Sequence, residues 1–237
     1  MLASTGWGSA DGRPFLPRAF SVAAAERDSR GTRLDFLVEA VGPGTTLLAG
    51  LEAGDDLHLT GPLGQPFSAP TELNPDAAGG ILVGGGIGIA PIAILRRRFA
   101  RRGIPARTVI GFRDEAHSGG LELFECQEVG LASEDGHAGH RGYVTDLLEV
   151  ALKGDPATAA VYACGPPAML EAVRVICANR GVAAELALEA PMACGYGACF
   201  GCAVPLASGG YMRLCVDGPV VRADRLETAL VAGSGHR

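Results

Sequence analysis

Four cysteines near the end of the chain have a spacing that suits metal chemistry. Cys194, Cys199, Cys202 and Cys215 give the pattern C-x4-C-x2-C-x12-C. The first two intervals are those of plant-type 2Fe–2S proteins, in which four thiolates surround two irons. The residues between the first three thiols are mostly small, so backbone N–H groups can approach the cluster sulfides. The spacing therefore predicts a 2Fe–2S site held by these four cysteines.

Two other uses of the cysteines fit the sequence less well. A structural zinc site usually shows paired C-x2-C knuckles, whereas this loop has a single one, at Cys199 and Cys202. A disulfide framework is not expected, since the chain has seven cysteines and four of them fall in its last 44 residues. Zinc stays open as the alternative metal. Cys126 and Cys177 are interpreted as ordinary small buried residues.

Two glycine-rich segments could bind the phosphates of a dinucleotide. "ILVGGGIGIAP" (81–91) and "YACGPPAML" (162–170) each place glycine after an apolar strand and before a helix. Such turns let backbone N–H groups and a helix N-terminus approach a pyrophosphate. The alternative is that the glycines only allow close packing of strand and helix. If both segments lie at the carboxyl ends of parallel strands, they share the edge where ligands bind.

A third segment, "PRAFSV" (17–22), places a guanidinium, an aromatic ring and a hydroxyl on one predicted strand. These groups could pair with phosphate, lie against a flat cofactor and form a hydrogen bond. A surface arginine beside a core phenylalanine explains the same residues without any function. This segment therefore decides nothing by itself.

The composition limits the classes of function. The 237 residues are 48% hydrophobic and 19% charged, which favours a folded chain with a substantial core. The net charge is −6 and no long Lys/Arg block is present, so nucleic-acid binding is not expected. The sequence does not start with a basic segment followed by an apolar core, and the longest apolar run, 81–95, is too short to cross a membrane. We expect a cytoplasmic protein with no membrane partner.

Three regions differ in their pattern. Short apolar runs between 15 and 67 predict antiparallel strands in a small barrel or sandwich, and "SAPTELNPDAAGG" (68–80) predicts a linker. From residue 81, short apolar runs alternate with helix-length amphipathic segments, which predicts a parallel α/β sheet with crossover helices. A small metal module is expected to follow. The predicted fold class is α/β plus β, with domains at 1–75, 76–190 and 191–237.

Together these segments resemble one family, the electron-transfer subunits of NAD-dependent dihydroorotate dehydrogenases, within the ferredoxin-reductase superfamily. The resemblance runs from about Arg18 to Leu226. "RAFS", "VGPGTTLL" and "GPLGQPF" are similar to the family's flavin-binding strand, second flavin segment and barrel-closing turn. "GGGIGIAP" and "CGPPAM" resemble its two nicotinamide-side motifs, and "EDGHAGHRGYVTD" is similar to the family's segment between them. "LEAPMACGYGACFGCAV" and "RLCVDGPVV" look like its cluster loop and fourth-ligand segment, and these are the most specific motifs.

The resemblance implies FAD in the barrel, NAD on the α/β domain and a 2Fe–2S cluster that faces a second subunit. The implied FAD-binding residues are Arg18, Ala19, Phe20, Ser21, Leu37, Val38, Glu39, Gly44 and Thr45. Of these, Leu37 to Glu39 would lie on the strand before "VGPGTTLL". The implied NAD-binding residues are Gly85, Gly86, Gly88, Pro91, Cys164, Gly165, Pro166 and Met169, and Cys164 would follow a strand. Because Arg18 comes after a short glycine-rich start, the barrel is expected to be incomplete.

The implied partner is a catalytic subunit that holds FMN and oxidises dihydroorotate to orotate in pyrimidine biosynthesis. Electrons would pass from FMN through the cluster and FAD to NAD+, within a heterotetramer. A diaphorase-type subunit of a hydrogenase or of a ferredoxin:NAD(P) oxidoreductase is one alternative, and a metal-binding interaction protein without flavin is another. "LRRRFARR" (95–102) leaves NAD or NADP open, since its arginines could bind a 2′-phosphate, although a solvated helix face is the simpler interpretation.

Overall fold

The computed structural model describes residues 1–4, 16–124, 128–154 and 156–231, so Cys126 lies outside the described residues. The first elements are β1 (Leu2–Ser4), β2 (Arg18–Ala19), β3 (Val22–Asp28), β4 (Gly31–Phe36), α1 (Pro43–Ala49) and β5 (His58–Thr60). The strands are antiparallel, as predicted, with the order β2-β1-β5 in one sheet and a β3–β4 hairpin beside it. Within the described ranges they form two small sheets and not one closed barrel.

The chain leaves the β3–β4 hairpin earlier than predicted. β4 ends at Phe36, so the prediction that Leu37 to Glu39 lie on this strand is wrong. Leu37 instead packs beside Ile89 and Gly120 on the core of the following α/β layer. Removal of this leucine side chain from water favours its departure from the hairpin.

The next part of the chain builds a single sheet of seven strands. In chain order the further elements are β6 (Gly79–Gly85), α3 (Ile89–Arg101), β7 (Ala106–Phe112), β8 (Gly130–Ser133), β9 (His140–Arg141), α4 (Val144–Ala151), β10 (Ala159–Cys164), α5 (Pro167–Arg180), β11 (Ala183–Ala187), β12 (Ala203–Pro205), β13 (Tyr211–Arg213) and β14 (Val220–Arg222), with a short α2 (Pro70–Leu73) before β6. The order is β14-β11-β10-β6-β7-β8-β9, and only the β11–β14 pairing is antiparallel. The predicted parallel α/β sheet is confirmed.

Apolar residues cover both faces of this sheet. Leu82 and Tyr162 pack with Phe99 of α3 on one face, while Val83 and Val161 pack toward α4 and α5 on the other. Strands buried on both faces are continuously apolar, which explains the runs in the sequence. In the part of the chain described above, no helix is both long enough and apolar enough to cross a lipid bilayer.

The predicted linker is bound to the sheet. It contains α2, the backbone N–H of Ser68 donates to the buried Glu185 carboxylate at 2.9 Å, and the Asn74 side chain donates to two carbonyls at the start of β10, at 2.8 and 3.0 Å. These bonds fix the direction in which the chain enters β6.

The arginines of α3 differ in their environment. Arg101 and Arg102 are exposed, as the simpler interpretation expects. Arg97 and Arg98 donate instead to backbone carbonyls of neighbouring segments, at 3.4 and 2.7 Å, and Arg96 donates to a threonine hydroxyl of β7. For these three arginines the interpretation as a solvated helix face is wrong, because their long side chains fasten the helix to its neighbours.

The C-terminal segment is joined to the main sheet. β12 and β13 form a hairpin, but β14 adds an antiparallel edge beside β11. After β14, the Glu171 carboxylate on α5 accepts hydrogen bonds from the Ala229 N–H at 2.6 Å and the Thr228 hydroxyl at 3.1 Å, and it pairs with Arg174. The hydrogen bond from Arg174 is the largest of the effects that lower the pKa of Glu171 to about 2.

We expect Glu171→Gln to lower the free energy of unfolding by about 1–3 kcal/mol, because the neutral amide keeps the shape of the side chain but loses the charge. The pKa of Glu171 is lowered in the fold, so the difference from wild type is complete above about pH 4.3 and shrinks as the pH falls toward 2. Thermal unfolding over a pH series measures both effects. The control is Glu149→Gln, which breaks an exposed pair with Arg180 and should change little. Equal losses in the two variants would contradict this role.

Candidate functional site

A cavity of about 490 Å³ opens where the N-terminal strands, the carboxyl edge of the large sheet and the cysteine segment meet. Its size is within the range of cofactor sites. Ten of the predicted FAD- and NAD-binding residues line it: Arg18, Ala19, Phe20, Ser21, Leu37, Glu39, Thr45, Gly88, Pro91 and Cys164. The fold thus brings together groups that are far apart in the sequence.

Beside the cavity, Arg18 lies against the first turn of α1. A Cβ atom on Gly44 would stand 2.6 Å from Arg18 Nε, so the lack of a side chain lets the guanidinium lie over this turn. The Thr45 hydroxyl accepts hydrogen bonds from the N–H groups of Val41 and Gly42, at 2.9 and 3.1 Å. A cation held beside a tight backbone turn suits a phosphate group.

Phe20 supplies an aromatic ring to the same wall. It packs edge-on against Phe36, with the ring centroids 6.2 Å apart. This contact restricts the orientation of the Phe20 ring, which would otherwise be set only by its own rotamer.

The two glycine-rich turns meet at the carboxyl ends of β6 and β10. A Cβ on Gly88 would lie 2.6 Å from the Cα of Gly165, and a Cβ on Gly85 would lie 2.5 Å from the sulfur of Met169 and 3.1 Å from Pro166. Close packing therefore requires glycine at both positions. The same turns also border the cavity through Gly88, so packing and ligand binding can share these residues.

Cys164 is the last residue of β10, and not a residue after the strand as predicted. It is buried and lines the cavity. Burial raises the pKa of its thiol well above the ordinary value, and the Glu189 carboxylate raises it further. Cys164 therefore presents a neutral thiol to the cavity, which is suited to packing against a ring and not to nucleophilic attack.

The four predicted metal ligands lie close together as two pairs of thiols. Cys194 contacts Cys199 and Cys202 contacts Cys215 at hydrogen-bonding range. Cys199 is exposed and Cys194 is half-buried, whereas the other two are buried. In the described segments, no three His, Cys, Asp or Glu side chains converge as a single-ion site requires. Two neighbouring thiol pairs are the ligand set that a cluster of two irons requires.

Backbone N–H groups surround these sulfurs. Gly201 N–H donates to Cys199 Sγ at 3.4 Å. Backbone hydrogen bonds, that of Cys199 first, lower the pKa of Cys194 to about 6. Burial, followed by the Cys202 thiol, raises the pKa of Cys215 to about 11. The loop favours a thiolate at Cys194, while Cys215 requires the positive charge of metal ions to ionise, so these residues fit a 2Fe–2S group.

The buried thiols Cys202 and Cys215 form an inner pair, and Cys194 and Cys199 form an outer pair. Of the inner pair, Cys215 borders the cavity, and with Leu214 it forms part of the wall. Gly195 in the cysteine loop packs on the N-terminal sheet, where an added Cβ would lie 2.5 Å from a methyl carbon of Leu2 and 3.1 Å from one of Leu63. The cysteine loop therefore contacts both the cavity and the strands that enclose it.

Part of the cavity wall was not predicted. Leu188, Glu189 and Met192, which follow β11, line it. They could have been found, since ligands bind beyond the carboxyl ends of parallel strands and residues 183–187 form a mostly apolar run in the predicted α/β region. The predicted residues that lie outside the wall formed by the described residues are Val38, Gly44, Gly85, Gly86, Gly165, Pro166 and Met169. Cys177 is buried on α5, as predicted.

Comparisons with known proteins agree with this geometry. A family model described as the iron–sulfur cluster binding domain of dihydroorotate dehydrogenase B matches residues 189–227. The structure of an NADH-dependent reduced ferredoxin-NADP oxidoreductase superposes with a TM-score of 0.79 at 25% identity, over 96% of this chain and 78% of that one. A ferredoxin reductase of carbazole 1,9a-dioxygenase gives 0.59 at 25% identity, over 71% and 53%. The fold and the cysteine segment together define a ferredoxin-reductase-like protein with an iron–sulfur binding domain.

Curated relatives narrow this class. The electron transfer subunit of dihydroorotate dehydrogenase B (NAD(+)) from Bacillus caldolyticus is 38% identical over 219 residues, which cover 91% of this chain and 81% of the relative. The subunit of the same name from Listeria monocytogenes is 36% identical, over 90% of this chain and 82% of its own. This chain belongs to the family of electron transfer subunits of NAD-dependent dihydroorotate dehydrogenase B. The resemblance predicted from the motifs is confirmed.

We expect Gly88→Ala to destabilise the protein by about 1–3 kcal/mol and to weaken binding of NADH, because the two glycine turns must separate to admit a methyl group. Gly119→Ala is the matched control, since among the described residues nothing lies within 4 Å of a Cβ there. Thermal unfolding and a fluorescence titration with NADH measure the two effects. Wild-type values for Gly88→Ala would contradict the close packing of the turns.

Proposed function

We propose that this chain passes electrons from a catalytic dihydroorotate dehydrogenase subunit to NAD+, by way of a 2Fe–2S cluster and FAD. The observation that carries the proposal is the position of Cys215. It belongs to the buried thiol pair and also to the wall of the cavity lined by Arg18, Phe20 and Cys164. A cluster at the thiols and a flavin in the cavity would therefore occupy neighbouring sites.

We assign the cluster to Cys194, Cys199, Cys202 and Cys215, with one thiol pair for each iron. When bound, the cluster supplies one-electron transfer and FAD couples it to hydride transfer. The chain's own contribution is position and electrostatics: short glycine-rich connections bring backbone N–H groups to the sulfurs, and burial keeps water from the inner pair.

We assign FAD to residues 1–75, whose two small sheets we interpret as an incomplete barrel. Arg18, held over Gly44 and beside Thr45, would neutralise the pyrophosphate. Phe20, fixed by Phe36, would lie against the isoalloxazine ring. The other assigned FAD-binding residues are Ala19, Ser21, Leu37, Val38 and Glu39.

We assign NAD to residues 76–190, at the joined glycine turns. Gly88 and Pro91 at the start of α3, and Cys164 at the end of β10, would border the nicotinamide side of the cavity. The neutral Cys164 thiol adds no charge beside a ring that must accept a hydride. Gly85, Gly86, Gly165, Pro166 and Met169 would complete the turns.

The catalytic subunit would dock beside the outer thiol pair in residues 191–237, as part of a heterotetramer that serves pyrimidine biosynthesis. Tyr196, Phe200 and Tyr211 are exposed by 73%, 60% and 75%, which is unusual for large rings on a free surface. Aromatic side chains at a solvent face next to the entry point for electrons are typical of the centre of a protein interface.

A second candidate is a reductase that exchanges electrons with ferredoxin. It is favoured by the TM-score of 0.79 with the NADH-dependent reduced ferredoxin-NADP oxidoreductase. The identity of 38% with dihydroorotate dehydrogenase subunits over 91% of the chain favours the first candidate.

The deciding experiment is anaerobic co-expression of this chain with the dihydroorotate dehydrogenase barrel subunit of the same organism. We expect a stable complex with flavin and reducible iron–sulfur spectra that reduces NAD+ when dihydroorotate is added. Absence of a complex or of turnover, with both cofactors loaded, would refute the proposal. Turnover with reduced ferredoxin but not with dihydroorotate would establish the second candidate, and a protein without flavin absorption would be a metal-binding protein only.

We expect Gly44→Ala to reduce FAD affinity by about ten- to a hundredfold, because the added methyl group displaces the Arg18 guanidinium and removes one charge-assisted contact. Gly42→Ala is the control, since its backbone is extended and no described atom lies within 4 Å of an added Cβ. The measurement is FAD release followed by flavin fluorescence, with thermal unfolding as a check on folding. Unchanged FAD retention would contradict the assignment of Arg18 to the pyrophosphate.

A further inference from the structure

We propose that Arg213 is a positioning residue for the cluster, which braces the cysteine loop and favours the reduced state of the iron–sulfur group. The inference rests on the proposed assignment of the cluster to the four cysteines. Arg213 ends β13, two residues before Cys215, and no predicted role involved it.

Arg213 joins the three parts of the chain that carry the thiols. Its Nη1 donates to the Gly197 carbonyl at 3.1 Å, in the turn between the first two cysteines. Its guanidinium carbon lies 5.3 Å from the centroid of the Phe200 ring, in the turn before Cys202. Its backbone N–H and its Nε donate to the Asp217 carboxylate at 3.0 and 3.5 Å, which closes the turn around Cys215. One residue therefore links all the turns of the loop.

Phe200 has a backbone conformation that needs such support. Its φ is +57°, the left-handed region that is unfavourable for a bulky residue, and it is the one described non-glycine residue with a positive φ. Burial does not explain the phenylalanine, because its side chain is largely exposed. The Arg213 guanidinium over the ring face explains the phenylalanine, since a cation in this place stabilises an aromatic side chain. This turn presents the Gly201 N–H to Cys199 Sγ.

The same arginine acts on the sulfurs through one peptide group. Arg213 donates to the carbonyl of the peptide that joins Gly197 to Ala198, which lies in the turn between Cys194 and Cys199. A charged donor on the carbonyl polarises the peptide and strengthens its N–H as a donor. Hydrogen bonds to cluster sulfurs and nearby positive charge both stabilise the reduced, more negative cluster. Asp217 also faces this guanidinium, with Arg213 Nε 3.5 Å from a carboxylate oxygen, and Arg225 acts on the same carboxylate.

The test is a redox titration of the holo complex, with EPR of the reduced cluster, in wild type, Arg213→Gln and Arg213→Lys. We expect the glutamine variant to have a lower midpoint potential and an altered EPR spectrum. Lysine keeps the charge but not the planar contact with Phe200, so it should recover part of the potential. Arg180→Gln is the matched control, because that side chain is 36% exposed against 34% for Arg213 and pairs with Glu149 on a helix surface.

A wild-type potential and spectrum in Arg213→Gln, with full cluster occupancy, would overturn the proposal. If that variant does not retain the cluster, Phe200→Ala and Phe200→Gly decide the matter. Both remove the ring, but alanine keeps the unfavourable backbone conformation and glycine does not. We expect chelator-driven iron loss about tenfold faster in Phe200→Ala than in wild type, with Phe200→Gly between them. Equal rates in the three proteins would overturn the bracing role.

These readouts concern the cluster itself and are independent of the partner reaction. A complex that shows the shifted potential but no NAD+ reduction from dihydroorotate would refute the proposed function and support the role of Arg213. A wild-type protein without a 2Fe–2S spectrum would refute both.

Discussion

The segment that carries the cysteines is closed at both ends by the main sheet. Ala187 at the end of β11 pairs with Val220 at the start of β14, and the Leu188 N–H donates to the Pro219 carbonyl at 2.9 Å. Parallel strands bring their carboxyl ends to one edge, and β11 brings the start of this segment to the edge where β6 and β10 also end. The single antiparallel pairing therefore forces the segment between residues 188 and 219 to lie beside the cavity. The position of the thiols beside the cavity depends on this β11–β14 pairing.

The two thiol pairs differ in their exposure to solvent, so the site has an outer and an inner side. The outer thiols lie near exposed aromatic rings, and the inner thiols lie in and next to the cavity wall. Across the cavity wall, the neutral Cys164 thiol and the Arg18 guanidinium mark two chemically different regions, one suited to a ring and one to phosphate. Exposed rings beside the outer thiols, with a cavity behind the inner ones, suit a protein that accepts electrons from one partner and delivers them to another.

Features that depend on local sequence could be predicted. The cysteine spacing, the glycine turns at 85–88 and 164–166 and the parallel strands follow from residues close together in the chain, because cluster loops, tight turns and strand–turn–helix units are local structures. Other features depend on distant contacts. Leu37 leaves its strand because of a core built by residues 89 and 120, and β14 joins the sheet because β11 offers a free edge. The bracing role of Arg213 could not be predicted locally, since Gly197 and Phe200 come from other turns and only Asp217 is near it in the chain.

The contact of Gly195 with Leu2 and Leu63 ties the cysteine loop to the N-terminal strand. Leu2 is buried, and a side chain at Gly195 would collide with it. Met1, the residue before this strand, lines the cavity. A displacement of the cysteine loop is therefore transmitted to the cavity wall, so the loop and the cavity behave as one packed unit.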